Sequence, residues 1–302
     1  MLPLTALLAG CSPAPTPADS GAASGDPWFT LLVIPDIQYL TLDPEPLPML
    51  QEMMDWILEN HEMLNIAMVL QEGDITHNNT DAEWAEADIG FSMIEGVVPY
   101  ILCVGNHDMD SGDTTRFNTW FGLQRQEQQS TFYASASPDS ADDHAHRFTA
   151  GGVDWLVLSL AYDPTDEALD WGAQMVASHL DHRVIVLTHA YLLPSGNLGP
   201  EGAGIAERIV DPYDNVTFVL NGHYIAGTAA HRRRSRDSGS EVVEVFANYQ
   251  DLPLSGLGRM RQMRLDPGQG TLDVVTCNAY DFCSEDDGDT FSMEDLDLLP
   301  PR

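Results

Sequence analysis

Lysine is absent from these 302 residues. All 13 positive side chains are arginines, set against 47 aspartates and glutamates, and the formal net charge is -34. So acidic a surface repels nucleic acid at long range, which excludes a non-specific nucleic-acid binder. Cysteine is scarce, with four in the chain and no Cys-x-x-Cys, so a thiolate zinc knuckle is excluded. Cys103 sits in an apolar segment and reads as a buried thiol, while Cys277 and Cys283 are near enough to pair in an oxidising compartment. There is no internal repeat, and the apolar run that opens the chain is too short to cross a membrane. Apolar residues nevertheless make up 43% of the chain, enough for a real core.

The chain partitions by composition. Residues 1–10 resemble a secretory signal, and Leu8-Ala9-Gly10-Cys11 resembles the lipobox of bacterial lipoproteins. That implies a lipid anchor on Cys11, the only membrane contact expected. Residues 11–27, rich in Pro, Ala, Ser and Gly, read as a flexible tether. Residues 28–283 form the folded domain, and 284–302 read as a disordered acidic tail.

Within the domain, apolar runs alternate with amphipathic ones. Strands are expected at 29–34, 66–70 and 98–104, with helices at 46–60 and 80–94 between them. Thr80 with Glu83 three residues on is the signature of a capping box. This alternation predicts a parallel sheet with crossover helices. Further strands are expected at 155–160, 184–187 and 216–220, with helices near 166–179 and 204–210. Segments 241–248, 259–265 and 271–277 read as an antiparallel meander, and 109–150 as an irregular lid or substrate loop.

Polar residues gather where the strands end. Asp36 and Gln38 follow the first, Asp74 the second, and Asn106, His107 and Asp108 the third. His189 and His223 close two later strands. Taken alone, Asn106-His107-Asp108 also fits a turn with an Asx hydrogen bond. Five such ends on successive strands point instead to a metal centre. Carboxylate, amide oxygen and imidazole together suit Mn, Fe or Zn rather than calcium. An Asp lying between two ligand sets can bridge cations about 3.5–4 Å apart, a spacing suited to phosphoester hydrolysis.

In order, Asp36-x-Gln38, Gly73-Asp74, Gly105-Asn106-His107-Asp108, Thr188-His189 and Gly222-His223 resemble the calcineurin-like metallophosphoesterases. Asn248-Tyr249-Gln250 adds a likeness to a bacterial branch with Asp-x-Gln at its first motif. The resemblance implies an α/β fold, a two-sheet β-sandwich flanked by helices, with two divalent metal ions at one edge. Asp36 and Gln38 would serve the first metal and Asp74 would bridge both. Asn106, His189 and His223 would hold the second, with His107 and Asp108 as catalytic residues. The chain departs from the family pattern at three positions. Gln38 stands where the first motif commonly has His, Ile225 where the last has its second His, and His77 where a carboxylate often orients the catalytic His. The first site is therefore expected to be weak, with His77 and His231 as candidates for an extra ligand. Arg232 to Arg236 either reach a substrate phosphate or form a solvated turn. His144, His146, His179 and His182 read as surface residues, and Trp84, Trp155 and Trp171 as packing residues.

The function expected is hydrolysis of a small phosphoester, mono- or diester, in the bacterial envelope. The alternative is a degenerate member that binds a phosphorylated or sugar ligand through a single metal.

Overall fold

The computed structural model describes residues 26–42, 48–280, 282–284 and 289–300. The signal-like start and nearly all of the tether lie outside these residues. From the N-terminal side come β1 (Phe29–Ile34), α1 (Gln38–Leu42), α2 (Met49–Asn60), β2 (Ile66–Gln71), α3 (Asp81–Ile94) and β3 (Tyr100–Leu102). The three strands pair in parallel, as their alternation with helices predicts. Thr80 and Glu83 form the expected reciprocal capping box at the start of α3.

Then follow α4 (Thr115–Phe121), α5 (Leu123–Gln126), β4 (Phe132–Ser137), β5 (Ser140–Ala150), β6 (Val153–Leu160), α6 (Asp166–Ser178) and β7 (Arg183–Thr188). A helical stretch begins as α7 (Ala203–Ile205) and runs on to Val210 as a π-turn. The chain closes with β8 (Val216–Asn221), β9 (Thr228–Ser235), β10 (Glu241–Asn248), β11 (Met260–Asp266), β12 (Thr271–Asn278), β13 (Phe282–Ser284) and β14 (Phe291–Met293). One sheet runs β13-β12-β11-β1-β2-β3, with β14 beside β12, and the other runs β4-β5-β6-β7-β8-β10-β9.

Period-2 alternation explains how the layers stack. Leu32 and Ile34 of β1 face α2 and α3, whereas Leu31 and Val33 face the second sheet. In the second sheet, Val157, Ile185 and Leu187 meet that same inter-sheet core, and Leu156, Leu158 and Val186 turn to α6 and the 203–210 helix. The result is helix, sheet, sheet, helix, the sandwich that the resemblance implies.

Several expectations are corrected. Residues 109–150 are not an irregular lid. Phe117 and Phe121 of α4 pack edge-on against Trp84 and Phe91, and β4 and β5 form a hairpin at the edge of the second sheet. The late strands are not one meander, because β10 joins β8 in parallel while β11 and β12 return to flank β1. The arginine cluster is no solvated turn: Arg232 and Arg234 lie on β9 and clamp Glu244, which is buried beside the Tyr191 hydroxyl. Arg236 donates to the carbonyls of Val210 and Val216. The acidic tail is ordered over 289–300, where β14 pairs with β12 and Leu296 and Leu298 enter the core. His144 and His146 are wholly buried, since residues two apart on β5 share its inward face. His179 is buried too, and His182 is partly so. Cys103 is a buried thiol, and Trp84 and Trp155 are core residues, as expected. Cys277 is disulfide-bonded and stands opposite Cys283 in the ladder of β12 and β13.

Candidate metal centre

The C-terminal ends of β1, β2 and the β3 segment in one sheet, and of β7 and β8 in the other, converge on one edge of the sandwich. A parallel strand runs all its residues toward one end, so the loops that follow share a rim. Asp74 projects from a backbone held at φ 52° and His223 from one at φ 77°. Both are left-handed conformations that non-glycine residues seldom adopt, and such strain clusters at functional sites. Glycines bring the loops together. A Cβ on Gly105 would lie 2.3 Å from Asp74 Oδ1, and one on Gly222 would lie 2.1 Å from Asp36 Oδ1.

Three of the expected ligands meet. Donor atoms of Asp74, His189 and His223 lie within 4.8 Å of one another. His189 Nε2 is 3.2 Å from Asp74 Oδ2, 3.1 Å from Asn106 Oδ1 and 3.1 Å from His223 Nδ1. Its Nδ1 donates to the Glu72 carbonyl at 2.8 Å, which leaves Nε2 aimed into the cluster. The electrostatics ask for a cation here. Burial alone would lower His189, but Asp74 and Asp36 beside it push it up to about 10. Burial would raise Asp74, yet His189 and the His107 N–H hold it below its ordinary value. Burial and the adjacent His189 push His223 down to about 4. Two imidazoles and a carboxylate thus face one another in a largely buried cluster. A divalent ion fits that donor set, since it binds neutral imidazole and ionised carboxylate.

Asn106 Oδ1 reaches the same cluster, while Asp36 and Gln38 are engaged in hydrogen bonds of their own. Asp36 accepts from the His223 N–H at 3.1 Å and from Asn248 Nδ2 at 2.9 Å. Burial, reinforced by Asp74, pushes it up to about 7. Gln38 donates to Gln250 Oε1, and its own oxygen lies 3.1 Å from His77 Nδ1. Ile225 is 57% exposed. His231 stacks on Phe291, away from the cluster.

His107 is tied to the cluster from outside. Its N–H donates to Asp74 Oδ1 at 2.8 Å, and its Nδ1 lies 2.7 Å from the His77 carbonyl. A carbonyl only accepts, so Nδ1 carries the proton and Nε2 is the position left for chemistry. The His77 ring stacks on it with centroids 5.1 Å apart and planes 15° apart. Asp108, expected as its catalytic neighbour, is fully buried and aimed inward. Its oxygens accept from the N–H groups of Ile75, Thr76 and Gly105 and from the Thr76 hydroxyl. The 3₁₀ turn over 106–108 explains this, because with three residues per turn it sends consecutive side chains about 120° apart.

Residues not singled out as site residues line the rest. Asn248 and Gln250 were legible only as part of a motif. Glu72 is buried with neither carboxylate oxygen hydrogen-bonded among the described residues. Burial, with Asp36 nearby, pushes its carboxyl well above the usual range. The Tyr162 ring lies 5.1 Å from His223, and Tyr224 donates to Glu201.

Comparison with known proteins supplies a context for this geometry. A family model described as calcineurin-like phosphoesterase matches residues 29–225. The uncharacterized protein YvnB of Bacillus subtilis is 31% identical over 288 residues, which is 90% of this chain. The chain spans only 22% of that relative's length. Among solved structures, a dimetal phosphatase from Danio rerio superposes with a TM-score of 0.58 at 13% identity, over 89% of this chain and 99% of that one. The purple acid phosphatase PPD1 of yellow lupin, Lupinus luteus, gives 0.56 at 15% identity, over 93% of this chain and 55% of that one. GAP50, an inner-membrane-complex anchor of Plasmodium, gives 0.54 at 10% identity, over 91% and 89%. At such identities the likeness is one of fold.

Proposed function

The chain belongs to the calcineurin-like phosphoesterases, and from that premise we propose that it hydrolyses small phosphoesters with the help of divalent metal ions at the rim of its sandwich. The observation that carries this reading is the meeting of Asp74, His189 and His223 from three separate strand ends, with His107 tied to the same Asp74. Asp74, His189, His223 and Asn106 would hold the principal ion, and Asp36 would contribute to a weaker second one. Such ions, once bound, polarise phosphoryl oxygens and lower the pKa of water.

The protein's own groups do the rest. The Asp74 carboxylate fixes His107 through its backbone N–H, so a ligand of the ion and the acid are set at constant separation. The His77 carbonyl fixes the tautomer. From its doubly protonated form His107 would deliver the Nε2 proton to the departing oxygen and be left as the neutral Nδ1–H tautomer that the His77 carbonyl holds. The test is a panel of phosphomonoesters and phosphodiesters, assayed on metal-stripped protein resupplied with Mn, Zn, Fe or Ni. Turnover that depends on added metal supports the reading, and none with any pairing overturns it.

A second reading has its own observation. Gln38 is turned away from the cluster and Ile225 offers no ligand, so the centre suits one ion better than two. A degenerate protein that binds a phosphorylated or sugar ligand would show saturable binding without turnover in the same panel.

We place the protein in a bacterial envelope, anchored through Cys11. The lipobox-like 8–11 segment supports this, and the bonded state of Cys277 suits an oxidising compartment. Full-length protein made in a bacterial host should partition into detergent, and Cys11→Ser should release it to the aqueous phase. If both forms stay aqueous, the anchor is refuted.

A further inference from the structure

We propose that Gln38 and Gln250 are not metal ligands but a positioning pair for His77 and, through it, for His107. The proposal rests on the phosphoesterase reading above.

Both ends of the Gln38 carboxamide are already committed. Its amide nitrogen donates to Gln250 Oε1, and its oxygen accepts from His77 Nδ1 at 3.1 Å. A carboxamide has one oxygen and one nitrogen on a rigid plane, so turning the oxygen toward an ion would break both bonds at once. Gln38 is 2% exposed and Gln250 4%, so the Gln250 oxygen left behind would be a buried acceptor without its donor.

Gln250 is fixed in turn. Its backbone N–H donates to Asn248 Oδ1 at 3.0 Å, and Asn248 Nδ2 donates to Asp36 Oδ2 at 2.9 Å. One bonded path therefore runs Asp36, Asn248, Gln250, Gln38, His77. It ends on the residue that holds His107 twice, through its carbonyl and through its ring. The His77 ring lies between those of Tyr39 and His107, each with its centroid 5.1 Å away. Its Nδ1 bond to Gln38 opposes rotation of the ring between them. The chain thus uses the glutamine of its first motif to set the imidazole that takes the place of the usual orienting carboxylate.

The experiment uses the full-length, metal-loaded protein and three variants: Gln38→Leu, Gln250→Leu and the double. Elemental analysis after equilibrium dialysis against a fixed free Mn concentration that fills both sites of the wild type should give the wild-type ion content for all three. Loss of an ion in Gln38→Leu alone would make Gln38 a ligand and overturn the proposal. Turnover should fall on the order of tenfold, part of the worth of a general acid, with KM little changed.

That fall should track the leaving group. It should be full for an alkyl phosphoester, whose departing oxygen needs a proton, and small for a 4-nitrophenyl ester, whose oxygen does not. Equal losses on both substrates would show mere structural damage and refute the positioning role. The double variant should be no worse than the worse single, since both residues act along one path, and additive losses would refute the path. If the wild-type protein hydrolyses neither ester, the phosphoesterase reading fails, and the ion content still decides whether Gln38 is a ligand.

Discussion

Replacing Asp108 by Asn tests whether this buried carboxylate is structural. It holds two loops together, the one after β2 and the one after β3. Oδ1 accepts the Thr76 N–H at 2.8 Å and the Thr76 hydroxyl at 3.1 Å, and Oδ2 accepts Gly105 N–H at 2.9 Å and Ile75 N–H at 3.1 Å. Burial pushes the carboxyl up to about 6, so at pH 8 it is ionised and accepts all four. In asparagine one oxygen becomes an NH2 group that faces donors. With its NH2 on the Oδ2 side the amide loses two N–H bonds, but on the Oδ1 side it loses only the Thr76 N–H bond, because the Thr76 hydroxyl can turn to accept; bonds to a charged acceptor contribute roughly 1.5–3 kcal/mol each. The amide takes the orientation that loses one bond, so the expected destabilisation is about 1.5–3 kcal/mol, a sizeable share of the ~5–15 kcal/mol that holds a typical domain together. Urea unfolding of metal-free protein at pH 8 should show the midpoint fall with the slope unchanged. A loss under about 1 kcal/mol would refute the reasoning, being well below even one charge-assisted bond. Normal stability with abolished turnover would restore Asp108 to a catalytic role.

Three further outcomes are expected. His107→Ala should lower turnover about a hundredfold or more and keep its metal; unchanged turnover would remove His107 from the chemistry, and lost metal would make it a ligand. Mild dialysis should strip the ion near Asp36 and leave the one at Asp74, His189 and His223, with activity restored by Mn, an ion content-with-titration experiment that two equally tight ions would contradict. His144 is fully buried and burial pushes it down to about 4 from an ordinary 6.5. Between those values the unfolded chain binds more protons, so this residue's contribution is present above pH 6.5 and is lost as pH falls to 4. A shift of that size corresponds to ~3 kcal/mol. His144→Leu should lose correspondingly less stability between pH 7 and pH 4.5 than wild type in matched urea titrations, and parallel losses would refute the assignment.

Much of this was legible in the sequence because β-strands and helices announce themselves by period. The apolar run of β1 and the Thr80-Glu83 cap are local signals, and local signals survive without tertiary context. The polar residues at five strand ends were equally visible, since parallel strands must deliver their ends to one side. What the sequence could not carry was direction across a turn and membership of a sheet. His107 and Asp108 are neighbours of similar promise, and only the 3₁₀ turn sends one outward and one in. Alternation along β10, β11 and β12 shows strands but not that β10 stays with the second sheet while its successors cross back to the first. In β5, His144-x-His146 looks like polar alternation facing water, and the pairing to β6 places it inside. Gln38 is a related case. An amide oxygen beside an Asp suits a ligand set, and the bond from the Gln38 amide nitrogen to a residue 212 positions away, which fixes where that oxygen faces, is not a local fact.

Asp74 belongs to one sheet, and His189 and His223 to the other. An ion held by all three is therefore a rivet through the open rim of the sandwich, and its occupancy is coupled to the gap between the two layers. At a free-metal concentration a hundredfold above Kd, the rivet adds about 2.7 kcal/mol against separation. Cobalt in that position would turn the coupling into colour: its visible absorption depends on how the three donors are arranged, so a band that drifts on heating before unfolding would record the rim opening while the far end of the sandwich stays shut.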